Sequence, residues 1–378
     1  MKTEYRKFKL TLCTLGPVHI GSGQLRTARE YILEGDEYYF PDMTLLYDEL
    51  IKQGINEKFE KFLIDSDNKT NRISDFLAEH GITKRDFGGY RLKATGLEKP
   101  KGDYVTRNQE TTDPGEINGV HQFMRDCYGN PYIPSSSLKG AIRTILMNTH
   151  WHSTNFKQEK KGKIVENKKA IPWGPTRRQR HEKIKPFDDI FNEIRVSDSQ
   201  PLTNDDLILV QKWDFSPDKD TKPHSLSIYR EALRPGTKME FEIITASGFK
   251  GGRAGELVAS LGEYAQKFYF GVTEDEAYEG YEDFFLKKFP NHLIQNNEPY
   301  PLYLGGGSGA WTKTVFRQAD GEVQQRHEKM SGRGALKLTK APQQVIKTTK
   351  GEKSLINNTQ NFYEMGKTCF TITEVATR

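Results

Sequence analysis

Residues 132–146 read Tyr132-Ile133-Pro134-Ser135-Ser136-Ser137-Leu138-Lys139-Gly140-Ala141-Ile142-Arg143-Thr144-Ile145-Leu146. Leu138, Ala141, Ile142, Ile145 and Leu146 fall at i, i+3, i+4, i+7 and i+8, one apolar stripe, which predicts a core helix over about 137–149. Upstream, residues 6–15 alternate Phe8, Leu10 and Leu12 against Lys7, Lys9 and Thr11, the pattern of a half-buried strand. Downstream, 207–211 reads as an apolar strand and 237–245 as an alternating one. A second amphipathic helix follows at 253–268, then a last apolar strand at 300–304. The strong elements therefore run strand, helix, strand, strand, helix, strand. This is the βαββαβ order of an α+β, ferredoxin-like or RRM-like core.

Large insertions interrupt that core. Tyr31–Phe40 reads as a hairpin around Gly35-Asp36, and 36–128 as a lid or thumb with short helical pieces and no clear core face. Residues 150–190 form a basic loop. Within it, 153–185 carries eleven Lys/Arg against three acids, a local charge of +8 on a chain whose total is +5. Residues 313–353 add a second basic stretch, and 318–378 is a C-terminal extension in which Phe370–Val375 adds a closing strand. Such charge suits a polyanion or a solvated loop.

Composition narrows the classes. Apolar residues make up 35% of 378, below the usual share, so long hydrated loops are expected. Apolar runs are too short to span a bilayer, and Met1–Leu10 lacks the apolar core of a secretory signal, so a cytoplasmic chain is expected. Three cysteines, Cys13, Cys127 and Cys369, lie far apart with no CxxC pair; neither a disulfide scaffold nor a zinc site is expected, and no cofactor.

The binding chemistry reads as phosphate recognition. Ser135, Ser136 and Ser137 stand where a helix cap belongs, and free N–H groups with the helix dipole there favour an anion. Lys139 and Arg143 are four apart, on one face, and Gly140 lets a backbone approach. Two glycine-rich loops add to this, Gly248–Arg253 with Lys250 and Arg253, and Gly305–Lys313 with Gly306, Gly307, Ser308 and Lys313. The second is not a nucleotide-hydrolysing P-loop, because Thr312 stands where a glycine must precede the lysine. Both suit tracking of a nucleic-acid backbone. His19, in Gly16-Pro17-Val18-His19-Ile20-Gly21-Ser22-Gly23, reads as a turn-closing histidine; the alternative is a general base for RNA cleavage, with His121 as a second candidate and Lys139 stabilising charge.

Several of these stretches together resemble the RAMP superfamily of CRISPR proteins. They are Leu15–Gly23, Tyr132–Arg143, Val196–Ser199, Arg230–Thr237 and Leu304–Val315. Within that superfamily the chain resembles the Csm group of type III-A effector complexes, and its size and Gly305–Thr314 ending look most like the fifth, 3′-end-capping backbone-type subunit. The resemblance implies an RRM-like palm that binds CRISPR guide RNA in its 3′ part, with His19, Gly21 and Ser22 among the contacts. It also implies possible target-RNA contact, stacking on a neighbouring Csm backbone subunit, and 3′ maturation through host exonucleases. Ser135 departs from the glycine common at that place. No catalytic residue is carried over; a metal-independent endoribonuclease is the alternative reading.

Overall fold

The computed structural model describes residues 5–34, 37–65, 72–94, 98–100, 104–106, 109–111, 117, 119–150, 157–160, 163–166, 190–215, 224–246, 253–270, 299–309, 312–313, 338–342, 346–348 and 362–376. Strand β1 (Tyr5–Thr14) is the spine. Phe8, Leu10 and Leu12 turn inward and are at most 1% exposed, while Lys7 and Lys9 turn outward. It pairs antiparallel on one side with β15 (Lys238–Ala246) and on the other with β20 (Lys367–Val375). Strand β12 (Ile194–Val196) adds beyond β15, and β16 (Tyr300–Tyr303) beyond β20, giving the order β12-β15-β1-β20-β16. Three helices cover the inner face: α4 (Ser135–His150), α5 (Arg253–Ala259) and α6 (Leu261–Phe270). The outer face carries ion pairs, Lys7–Glu242 and Lys9–Glu240 at 2.6 Å each, exposed enough to contribute little stability.

A second sheet has the order β19-β17-β13-β14-β9-β2. Its strands are β2 (Gly21–Arg26), β9 (Val120–Phe123), β13 (Leu207–Phe215), β14 (His224–Leu233), β17 (Leu338–Pro342) and β19 (Phe362–Glu364). One core runs through both sheets and α4, and holds Ile133, Leu138, Ile142, Ile145, Leu207, Leu209 and Leu233.

A third, small sheet joins β3 (Ile32–Glu34), β4 (Glu37–Phe40) and β5 (Tyr90–Lys93), with β3 and β4 forming the expected hairpin. Helices α1 (Met43–Lys52), α2 (Asn56–Ile64) and α3 (Ile73–Glu79) pack beside it around Tyr39, Leu46, Leu50, Phe59, Phe76 and Phe87. Segment 36–128 thus owns a core, contrary to its reading as a length without a core face. Short helices, each with only one to three buried apolar residues, show too little stripe to reveal it. Paired strands β6 (Glu98–Pro100) and β18 (Ile346–Thr348), β7 (Tyr104–Thr106) and β8 (Gln109–Thr111), and β10 (Lys157–Lys160) and β11 (Lys163–Glu166) complete the described elements. Most of the basic loop 150–190, and most of 318–361, lie outside the described residues.

Three sequence expectations change. Residues 207–211 were expected in the first sheet, but they lie in the second, because β13 pairs with β14 and buries both faces: Leu207 and Leu209 in the main core, Val210 in a small cluster with Ala232, Ala341 and Met365. Ile194–Val196 takes the place beside β15. The C-terminal strand is no appendage: β20 lies between β1 and β16 and leaves 300–303 at the sheet edge. Finally, 253–268 is two helices that bend at Ser260. The hydrogen bonds continue through the bend, from Ser260 N–H to Glu256 O and from Tyr264 N–H to Ser260 O, each 3.1 Å. Gly262 lies directly against the Tyr300 ring, where a Cβ would collide.

Candidate functional site

After β1 the chain crosses from the first sheet to the second through Leu15–Ile20. Leu15 and Gly16 donate to Lys367 O, and Gly16 sits so close to Glu364 O that any Cβ would strike it. Val18 exchanges two hydrogen bonds with Leu233, at 2.8 and 3.2 Å, and Gly306 N–H donates to His19 O at 2.7 Å. The crossing is therefore tied to both sheets and to the glycine-rich loop. Gly305 and Gly307 have φ of 83° and 90°, left-handed values that favour glycine.

Beside this crossing lies a cleft of about 380 Å³, walled by Ser137, Gly140, Ala141 and Thr144 of α4, by Ile20 and Gly21, and by Tyr303–Gly306 with Thr312 and Lys313. Glycines from three separate segments, Gly21, Gly140 and Gly306, line it. At Gly140 an added Cβ would meet nothing within 4 Å, so this side of α4 is open. The Lys313 ammonium donates to Gly305 O, and burial together with the Arg230 charge lowers its pKa. Hydroxyls of Ser137 and Thr144 complete a small, cationic, glycine-lined surface.

The structure thus brings Gly21, Ser137, Gly140, Gly306 and Lys313 together. Other expected residues are engaged elsewhere. Ser135 and Ser136 belong to the first turn of α4 instead of capping it, and Ser135 N–H donates to Asp198 at 2.6 Å. The anion expected at that helix end is the protein's own carboxylate. Lys139 donates to Ile194 O at 2.7 Å, and the Arg143 guanidinium lies 4.5 Å from the centre of the Phe191 ring. Both cations brace α4 against 190–194, so removing them changes packing as well as charge. Ser308 is fully buried and bonds to Gly305 O, a loop-closing role. Gly307 packs against Arg230, and Arg253 is exposed at the start of α5. Ser22 bonds to Gln122 O and borders a second hollow of about 640 Å³, along with Arg26, Tyr90, Arg125 and the exposed Tyr128. Lys250 lies outside the described residues.

His19 is 5% exposed, and its Nδ1 lies 2.6 Å from Glu231 O. A carbonyl only accepts, so Nδ1 carries the proton and donates. Burial lowers its pKa to about 4, opposed by that hydrogen bond, and Arg230 and His121 lower it further. The His121 ring is 6.4 Å away, and burial and Arg230 lower its pKa too.

Two residues of the Arg230–Thr237 stretch, which the sequence offers as part of the family resemblance but not as a site, also border this region. Arg230 lies under Gly307 with Nη1 buried and unpaired among the described residues. Glu231, fully buried, accepts from Tyr90 OH at 2.5 Å, Phe123 N–H at 2.9 Å and Arg125 at 3.2 Å. An Arg-Glu pair within a strand reads as surface charge until its neighbours are known. No cluster of three or more metal-ligating side chains occurs among the described residues, and no described helix is long and apolar enough to cross a membrane.

Residues 11–310 match the model of the RAMP superfamily. The chain is 48% identical to the CRISPR system Cms protein Csm5 of Streptococcus thermophilus, over 99% of both chains. It is 30% identical to the protein of the same name from Mycobacterium tuberculosis, over 85% of this chain and 86% of that one. Among solved structures, a chain in a Csm–crRNA–target RNA ternary complex aligns over 97% of this chain and 100% of its own, with a TM-score of 0.60 and 18% identity. A crystal structure of T. onnurineus Csm5 aligns over 95% and 99%, with a TM-score of 0.55 and 17% identity. With family match, identity and fold in agreement, the chain belongs to the RAMP superfamily and, within it, to the Csm5 family.

Proposed function

We propose that this protein is a non-catalytic, CRISPR-RNA-binding subunit of a type III-A (Csm) interference complex in the cytoplasm. In this reading it caps the 3′ end of the guide and supports 3′ maturation by host exonucleases. The first sheet with α4, α5 and α6 is its RRM-like palm. Segment 36–128 is the lid or thumb, and the protein stacks on a neighbouring Csm backbone subunit. The observation that carries the RNA-binding reading is the glycine-lined cleft between α4 and the 305–313 loop. Absent Cβ atoms let a sugar-phosphate backbone approach, and Lys313 supplies a cation without reading bases. The family membership, and a chain of like fold that is part of a Csm–crRNA–target RNA complex, support the same assignment. Cleavage by the chain itself is disfavoured because His19 is buried and its pKa, lowered to about 4, makes it a weak base.

Gly140→Glu tests this reading. The position is open, so folding should persist, but a carboxylate would enter the cleft. Filter binding with single-stranded RNA should show at least tenfold weaker affinity at a melting temperature no lower than that of wild type. Undiminished binding would remove the cleft from the interface. Complexes assembled without this subunit should carry guides with heterogeneous 3′ ends. Discrete RNA cleavage by the isolated chain in EDTA, lost in His19→Ala, would favour the endoribonuclease instead.

A further inference from the structure

Cys13 and Cys369 are separated by almost the whole sequence yet face one another directly across β1 and β20. Leu15 N–H donates to Lys367 O at 2.9 Å. Hydrogen-bonded pairs recur every second residue in an antiparallel ladder, so Cys13 and Cys369, two residues along on each strand, form the next such pair. Its Cα atoms stand about 5.5 Å apart in standard geometry, inside the ~4.4–6.8 Å that a disulfide spans. Both thiols are free; Cys13 is half-buried and Cys369 is buried. On the opposite flank, Lys238 is the cross-strand partner of Cys13, so a lysine, a half-exposed thiol and a buried thiol stand in one row across three strands.

We propose that Cys13 and Cys369 are a peroxide-responsive dithiol that closes reversibly into a disulfide linking the N-terminal and C-terminal strands. Cys13, the more exposed, is the attacking sulfur. Its hydrogen bond with Cys369 lowers its pKa to about 7 against the effect of burial, with Lys238 assisting. Cys369 is raised by the same hydrogen bond and by burial, which suits the resolving partner. The Cys13 thiolate attacks one oxygen of hydrogen peroxide, the O–O bond breaks, and the departing hydroxide takes up a proton as water. The Cys369 sulfur then displaces hydroxide from the sulfenic acid, the S–S bond forms, and its thiol proton leaves with that hydroxide as a second water. The two thiols lose two electrons and peroxide gains them.

The test uses the full chain with all three cysteines, the exposed Cys127 serving as an internal control. After mild hydrogen peroxide treatment, free thiols are alkylated in denaturant and the protein is digested with trypsin. Mass spectrometry should find residues 10–26 joined to 368–378, the link should vanish with dithiothreitol, and the oxidised protein should melt at higher temperature. In Cys369→Ala, dimedone should label Cys13 as a sulfenic acid. Free Cys13 and Cys369 at a peroxide dose that already oxidises Cys127 would overturn the proposal, as would Cys13 found only in links to Cys127.

Discussion

His19 shows how one side chain converts burial into pH dependence. Its folded pKa, about 4, lies below the ~6.5 of an exposed histidine, so the unfolded chain takes up the proton first on acidification. Stability from this group is complete above about pH 6.5 and falls away toward pH 4, by roughly 3 kcal/mol in all. Denaturant unfolding of wild type and His19→Gln from pH 7 to 4 should give curves that converge as pH falls; parallel curves would show that His19 is not held neutral. Glu231 makes a second case. Its carboxylate is fully buried among Tyr90, Arg125 and the Phe123 N–H, and links the second sheet to the small third one. Removing one partner of a buried charged network strands the others, so Glu231→Ala should cost about 3–5 kcal/mol, measured by urea unfolding. A loss under 1 kcal/mol would mean that water replaces the carboxylate.

Among the elements, α4 separates fold from binding most cleanly, since the two roles fall on different faces. Ile142 is fully buried in the stripe that joins both sheets. Ile142→Asp should cost roughly 4 kcal/mol or more, seen as insoluble protein or a collapsed melting temperature, because an unpaired carboxylate would enter an apolar core. On the open face, Gly140→Ala should stabilise the helix by up to about 1 kcal/mol, since its new methyl meets nothing. If Gly140→Ala lowers the melting temperature, the helix surface is not open there. The stripe of α4 was fully legible in sequence, because helical periodicity is local. The roles of Lys139 and Arg143 were not: i and i+4 spacing aligns two cations, but Ile194 and Phe191, some fifty residues away, decide what they touch. The helix end misled for the same reason, since Asp198 fills a position that sequence could only describe as anion-seeking.

For the whole molecule, β20 is the decisive element. It lies between β1 and β16 and turns Phe370 into the core opposite Leu12, so the sheet needs both ends of the chain. Deleting 367–378 should leave little soluble, cooperatively folding protein by circular dichroism and thermal melting, whereas removal of a mere extension would leave both intact. The sequence by itself determined what is periodic over a few residues: the strands of 6–15 and 237–245, the stripe of 138–146, the hairpin at 31–40, and the glycine-rich stretches that carry the family resemblance. Alternation and helical stripes report which face of an element is buried, because neighbours along the chain share one local geometry. They do not report which element lies beside which. Only the tertiary structure moved 207–211 into the second sheet, set 194–196 beside β15, gathered Gly21, Gly140, Gly306 and Lys313 around one cleft, and placed Cys13 opposite Cys369. Strand pairing is made by contacts between residues far apart in the chain, and that information resides in no single stretch.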